Sequence, residues 1–164
     1  MSDTVTAKQL LVVAIQDLHD AERAWIERLP PFEERTSGAL LDFIREERSR
    51  AAGQADRLET FARALGASVD GSPNIWLRAV LDDADRDSET IEKGPLRDIA
   101  LTGAFRKGKQ SERVSYETAI GLAHALGEPG IAAGLTSSRD EESAADANLA
   151  SLLGAMLQTI SSPA

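Results

Sequence analysis

The chain has 164 residues, a length that suits one domain with a sizeable core. Hydrophobic residues make up 42 %, an ordinary globular share, while 27 Asp plus Glu against 18 Lys plus Arg leave a net charge of −9, which disfavours binding to nucleic acid or an anionic membrane. There is no Cys, so disulfides, thiolate metal sites and cysteine nucleophiles are excluded, and only His19 and His124 offer imidazole.

In chain order, Thr6 followed by Gln9 reads as a capping box that opens the first helix. That helix carries Leu11, Ile15, Leu18, Trp25 and Leu29 at helical spacing, and Pro30-Pro31 should stop it because proline lacks the N–H and clashes with the preceding turn. Within it, the apolar run Leu10 to Ile15 is far too short to span a bilayer. The chain also lacks the basic start and cleavage site of a secretory signal, so the expected location is the cytoplasm. Ser37 is the expected cap of a second helix with the seam Leu40, Ile44, Ala51, Leu58, Phe61 and Leu65. Gly66 and the stretch Gly71-Ser72-Pro73-Asn74 break it. A shorter amphipathic helix follows from Ile75 to Ile91, with Trp76, Val80 and Leu81 expected to pack inward and Trp76 to pin the crossover. Gly94-Pro95 starts a third long helix with the seam Thr102, Phe105, Tyr116, Ala119, Ala123 and Leu126. Gly127-Glu128-Pro129 turns the chain into a last helix with Ile131, Leu135, Leu149, Leu153, Met156 and Ile160, and the final Ser-Ser-Pro-Ala reads as a frayed tail.

These elements, at about residues 5–29, 37–65, 75–91, 95–126 and 129–160, form a single domain of two antiparallel helical hairpins. The long crossover between the hairpins holds the short helix, which is the ferritin-like connection of a four-helix bundle. The expected fold class is therefore all-α, a ferritin-like four-helix bundle.

The seams are interrupted by charge. Continuing each apolar stripe lands on Glu22 in the first helix, Glu47 in the second, Lys109 and Glu112 in the third, and Glu142 in the fourth. At a rise of about 1.5 Å per residue, the two carboxylates of each hairpin lie at similar depth. Four carboxylates at one level of a bundle is the plan of a di-iron or di-manganese site, but burying them requires neutralisation by metal, by protons or by internal cations. Internal cations are at hand in Lys109 and in Arg50, one turn beyond Glu47. The common di-iron pattern also needs His three residues after Glu on two helices, and neither His19 nor His124 stands there. Gln54, Tyr116 and Asp146 complete the expected polar network with Arg50 and Lys109. His19 reads as a partly exposed helix residue, His124 as a favourable charge near a helix C-terminus, and Trp25 as a packing residue. The acidic run Asp82-Asp83, Asp85, Asp87 and Glu89 reads as a solvated face.

Several ordered strings carry a resemblance over nearly the whole chain. They are Asp17-Leu18-His19-Asp20-Ala21-Glu22 followed by Leu29-Pro30; Gln54, Arg57, Leu58 and Glu59; Ala100-Leu101 with Tyr116 and Thr118; Ala125-Leu126-Gly127-Glu128; and Asp140-Glu141-Glu142 with Asp146 and Leu149. Together they resemble the YciF/YciE family of ferritin-like bacterial stress proteins. The resemblance implies the bundle fold and a homodimer. It does not carry over an intact metal centre. Where the family's second helix has His and, three later, Glu, this chain has Glu47 and Arg50. Where the family's third helix has Glu-His-Tyr-Glu, this chain has Lys109, Gln110, Ser111 and Glu112.

The expected function is thus a non-enzymatic, stress-associated structural or interaction protein. In it a salt-bridged polar core replaces a di-metal centre, no cofactor is bound, and neither nucleic acid nor membrane is a partner. The alternative is a metal-dependent oxidase or peroxide-handling protein, with iron or manganese held by Glu22, Glu47, Glu112 and Glu142. Which protein it meets besides its own copy is not legible.

Overall fold

A computed structural model describes residues 4–161; of the tail expected at Ser161 to Ala164, Ser161 is the last residue of a helix and the other three lie outside the described residues. Six helices follow one another: α1 Ala7–Arg28, α2 Pro30–Arg35, α3 Gly38–Ala64, α4 Ile75–Thr90, α5 Pro95–Ala125 and α6 Pro129–Ser161. Among the described residues there is no strand, and no helix is long and apolar enough to cross a membrane.

Each boundary has a local cause. The Thr6 hydroxyl accepts from the Gln9 amide while the Gln9 side chain accepts from the Thr6 amide, so α1 opens on a full capping box. Pro30-Pro31 ends α1 as expected, but the turn is tighter than a loop. Leu29 stays helical at φ −72°, ψ −32°, and the two prolines become the first residues of α2, where their missing N–H groups are not needed. Sequence reading passes over α2, yet its Phe32 is fully buried and seals that end of the core. Ser37 takes the position that precedes α3 without capping it, because its hydroxyl donates to Asp98 Oδ2 instead. At the other end, Gly127 (φ +70°) and Glu128 donate back to His124 and Ala123, closing α5 and aiming α6 antiparallel to it.

α1 packs on α3, α5 on α6, α1 on α5 and α3 on α6, which makes a four-cornered bundle, and α4 lies across α5 and α1. The seams of α1, α3 and α5 bury as read, except that Phe61 and Leu126 at their ends are half-buried. Two others need correction. In α4 the inward stripe is Leu77, Leu81, Ala84 and Ser88; Trp76 is 73 % exposed and pins nothing. The apolar face is shifted by one residue because Asn74 caps this helix and ties its start to α1 through Asp17 and Asp20. Of the expected α6 stripe, Ile131, Leu135 and Leu149 are buried, Leu153 and Met156 are half-buried, and Ile160 is 47 % exposed. The last turns of α6 reach the level where α3 and α5 begin, so they have neighbours on one flank only.

Candidate metal centre

The charge layer is built from the stripes that form the core. On α1, Leu11, Ile15 and Leu18 lead to Glu22 and Trp25; on α3, Ile44 leads to Glu47; on α5, Phe105 leads to Lys109, Glu112 and Tyr116; on α6, Leu135 and Ser138 lead to Glu142. Helical period alone therefore forces these side chains inward. Glu22, Glu47, Lys109 and Glu142 are completely buried and Glu112 is nearly so.

The Lys109 ammonium sits among three of the carboxylates. It donates to Glu47 Oε1 at 2.5 Å, and lies 2.7 Å from Glu142 Oε2 and 2.9 Å from Glu112 Oε2. Its other face rests on Trp25, 4.5 Å from the ring centroid, a cation–π contact strengthened by the dry surroundings. Trp25 is also a polar partner, since its indole N–H donates to Glu112 Oε2 at 2.7 Å. Glu22 lies deeper and accepts from the Tyr116 hydroxyl at 2.8 Å. Arg50, half-buried at the edge, pairs with the second oxygen of Glu47.

Desolvation and mutual repulsion govern the protons. Burial pushes the Glu22 and Glu142 carboxyls well above the ordinary range, and neighbouring Glu112 pushes both further. Burial acts to depress the Lys109 amine, but the surrounding carboxylates win and hold it well above the ordinary lysine value. Tyr116 is likewise raised, by burial and by the Glu22 carboxylate. The Lys109 cluster thus favours the charged ammonium, while burial inclines Glu22 and Glu142 toward holding a proton. Burial also leaves acceptors unfilled: Glu22 Oε2, Glu112 Oε1 and Glu142 Oε1 receive no hydrogen bond, and Glu142 Oε2 has the Lys109 ammonium.

The donor set does not fit a di-metal centre. The point from which a cation bridges Glu47, Glu112 and Glu142 is taken by the Lys109 nitrogen. Among the described residues no three His, Asp or Glu side chains are disposed as a ligand group. Neither histidine approaches: His19 Nε2 is 3.3 Å from Glu59 on the rim, and His124 is exposed near the end of α5.

Two expected members of the network lie outside it. Asp146 is bound by Arg106 at 2.7 Å and by Gln110 at 3.1 Å, half-exposed in the α5–α6 seam, because α6 turns it one position off the inward stripe held by Ala145. Gln54 is buried but donates to Glu141 Oε2, which Arg57 also clasps. Conversely, sequence reading treats Trp25 as packing alone and misses its two polar contacts. A signal is visible in hindsight at Gly108: a Cβ there would meet Trp25 Cζ2 at 2.7 Å, so a glycine inside α5 marks where the indole needs room beside Lys109.

With this geometry in view, similarity to known proteins is informative. A family model described as a domain of unknown function, DUF892, matches residues 6–160. Protein YciF of Escherichia coli strain K12 is 25 % identical over 149 residues, which cover 90 % of each chain. The crystal structure of the E. coli stress protein YciF superposes with a TM-score of 0.89 at 24 % identity, covering 94 % of this chain and 99 % of that one. YcfI of Rhodopseudomonas palustris, described as a candidate structural protein, superposes with a TM-score of 0.84 at 26 % identity, covering 90 % of this chain and 94 % of its own. The chain belongs to the DUF892 family and is a YciF-type member of it.

Proposed function

We propose that this protein is a non-enzymatic, stress-associated structural bundle of ferritin-like connectivity, in which the Lys109 ammonium takes the place of a di-metal centre. The observation that carries the reading is Lys109, fully buried and within 2.9 Å of oxygens from Glu47, Glu112 and Glu142. A tethered monocation both repels a dication and fills the space between its ligands. The relatives support the broader role: one is named a stress protein and one is described as a candidate structural protein. In this reading the protein works as a cytoplasmic homodimer, without a bound cofactor and without nucleic acid or membrane as partner.

The unfilled oxygens of Glu22, Glu112 and Glu142 favour a second reading, an iron- or manganese-dependent oxidase. Elemental mass spectrometry separates the two. Protein purified without chelator or affinity tag, from cells fed iron, manganese and zinc, should carry well under one ion per chain. One or two ions per chain would overturn the structural reading. Lys109→Glu combined with Arg50→Glu should then raise metal uptake, read by titration calorimetry; no gain would sink the idea that the lysine displaced a metal.

A further inference from the structure

The acidic run of α4, expected as a solvated face, is also a clasp. Asp82 and Asp85 accept from Arg28 at the end of α1 at 2.9 and 2.5 Å, and Asp85 accepts from Arg35 of α2 at 2.9 Å. Asp83 lies 3.9 Å from the Lys107 ammonium of α5. At the other end of α4, Arg78 grips Asp20 of α1 through two bonds of 2.9 and 2.6 Å, and the Asn74 amide donates to the same carboxylate. Helix α4 carries five acidic and two basic side chains, a net charge of −3, and the cations that meet its carboxylates come from three neighbouring helices.

Its hold by packing is slight. Helix α4 buries three apolar side chains, Leu77, Leu81 and Ala84, fewer than any of the four bundle helices. Leu77 nevertheless sits where it closes the buried charge layer. A Cβ on Gly108 would meet Leu77 Cδ1 at 3.0 Å and Trp25 Cζ2 at 2.7 Å, so this leucine and the indole beneath Lys109 meet at one notch of α5. Few apolar contacts and a rim of partly exposed ion pairs mark a segment that opens ahead of its scaffold. Gly94, which follows α4, takes φ +144°, and a Cβ there would meet nothing within 4 Å, so the segment has a free pivot at that end.

We propose that α4 is an electrostatically clasped lid. It lifts from the folded four-helix bundle when the catches at Arg28, Arg35 and Arg78 release, and lifting uncovers Trp25 and the Lys109 layer to small solutes. The lid works alike whether the layer holds the lysine alone or a metal, and is independent of the proposed function.

The test is native-state amide exchange of the full-length protein, read by mass spectrometry and paired with acrylamide quenching of Trp25. Quenching is measured in a Trp76→Phe background, which leaves Trp25 as the sole indole. The α4 amides should exchange at least about tenfold faster than those in the buried middle of α1, α3 and α5. In about 1 M KCl, where charges are screened beyond about 3 Å, α4 exchange and Trp25 quenching should rise together. Arg28→Met keeps an apolar stem and removes two pairs; it should speed α4 exchange by about fivefold, the scale of one partly exposed ion pair, and raise quenching with it, while α3 exchanges as in the parent. Arg139→Met removes a pair with Asp140 on α6 and should move neither readout. Exchange of α4 in step with the bundle helices overturns the proposal. So does α4 exchange that ignores both salt and Arg28→Met, and so does faster α4 exchange with Trp25 quenching unmoved, because α4 would then open without uncovering the layer.

Discussion

The Lys109 layer divides the interior into two unlike halves. On the side where α1 turns into α2, the core is aromatic: Trp25, Phe32, Phe43 and Phe105 pack with Leu29, Leu40 and Leu149. Phe105 meets Trp25 and Phe32 edge-to-face, with centroids 5.7 and 5.4 Å apart. On the other side the core is aliphatic, built from Leu11, Ile15, Leu18, Leu58, Ile131 and Leu135, with Tyr116 at the border. Two added helices cover the aromatic half, α2 through Phe32 and α4 through Leu77 and Leu81, whereas the aliphatic half has Val69 of the crossover loop against it. Large rings hold the helices apart and open seams that need lids, whereas small and aliphatic side chains let four helices close on themselves. The crossover, on this view, is a lid for the aromatic half as much as a connection.

Truncation tests that contrast most directly. Trp25→Ala should be the most damaging single change, costing about 5 kcal/mol in chemical denaturation. It empties a large buried volume and also deprives Glu112 of its donor and Lys109 of its ring. A loss no greater than that of an aliphatic truncation would show that the rings add nothing specific. Lys109→Met keeps the volume but leaves three carboxylates without their cation; a cost of about 3–5 kcal/mol is expected, with uptake of protons that calorimetry in buffers of different ionisation enthalpy can count. A near-neutral result would mean that protons replace the ammonium without penalty. In the aliphatic half, Leu135→Ala should cost about 3 kcal/mol, the ordinary price of a buried leucine, and should leave exchange of α4 amides unchanged if the halves are independent.

The smallest effect sought is a slope in pH. Glu22 and Glu142 have folded-state pKa values well above the ordinary 4.5, so their stabilising contribution is complete below 4.5 and declines as pH rises through the raised values. Each contributes at most about 1.4 kcal/mol per pH unit across that window. Lys109, raised above 10.5, holds its contribution until strongly alkaline pH. Melting temperature should therefore fall between mildly acidic and neutral pH, and Glu142→Gln should flatten the fall. A parent profile that is flat over this range would mean that the buried carboxyls ionise at their ordinary values.

Much of this was legible because helical period is strict. An interruption at Glu22, Glu47, Glu112 or Glu142 can only point inward when its neighbours one turn away are Leu18, Ile44, Tyr116 or Ala145. Short elements escaped for the opposite reason. The stripe of α4 is brief, so the bulk of Trp76 outweighed the register set by the Asn74 cap. Helix α2 is shorter than two turns and begins with residues that elsewhere end helices. Within the site, periodicity places side chains on a face but says nothing of their reach across the bundle. That is why sequence reading puts Asp146 in the layer and leaves Trp25 out of it.

Lys109 carries its charge on four methylenes anchored to α5. A metal ion leaves when a chelator competes for it or when the cell runs short, and a site built for one fills according to supply. An ammonium fixed to the backbone is present in every copy from synthesis onward, whatever the metal status of the cell, and no chelator removes it. The same bond means that the centre cannot be emptied, so nothing short of unfolding or loss of the proton separates the cation from its carboxylates.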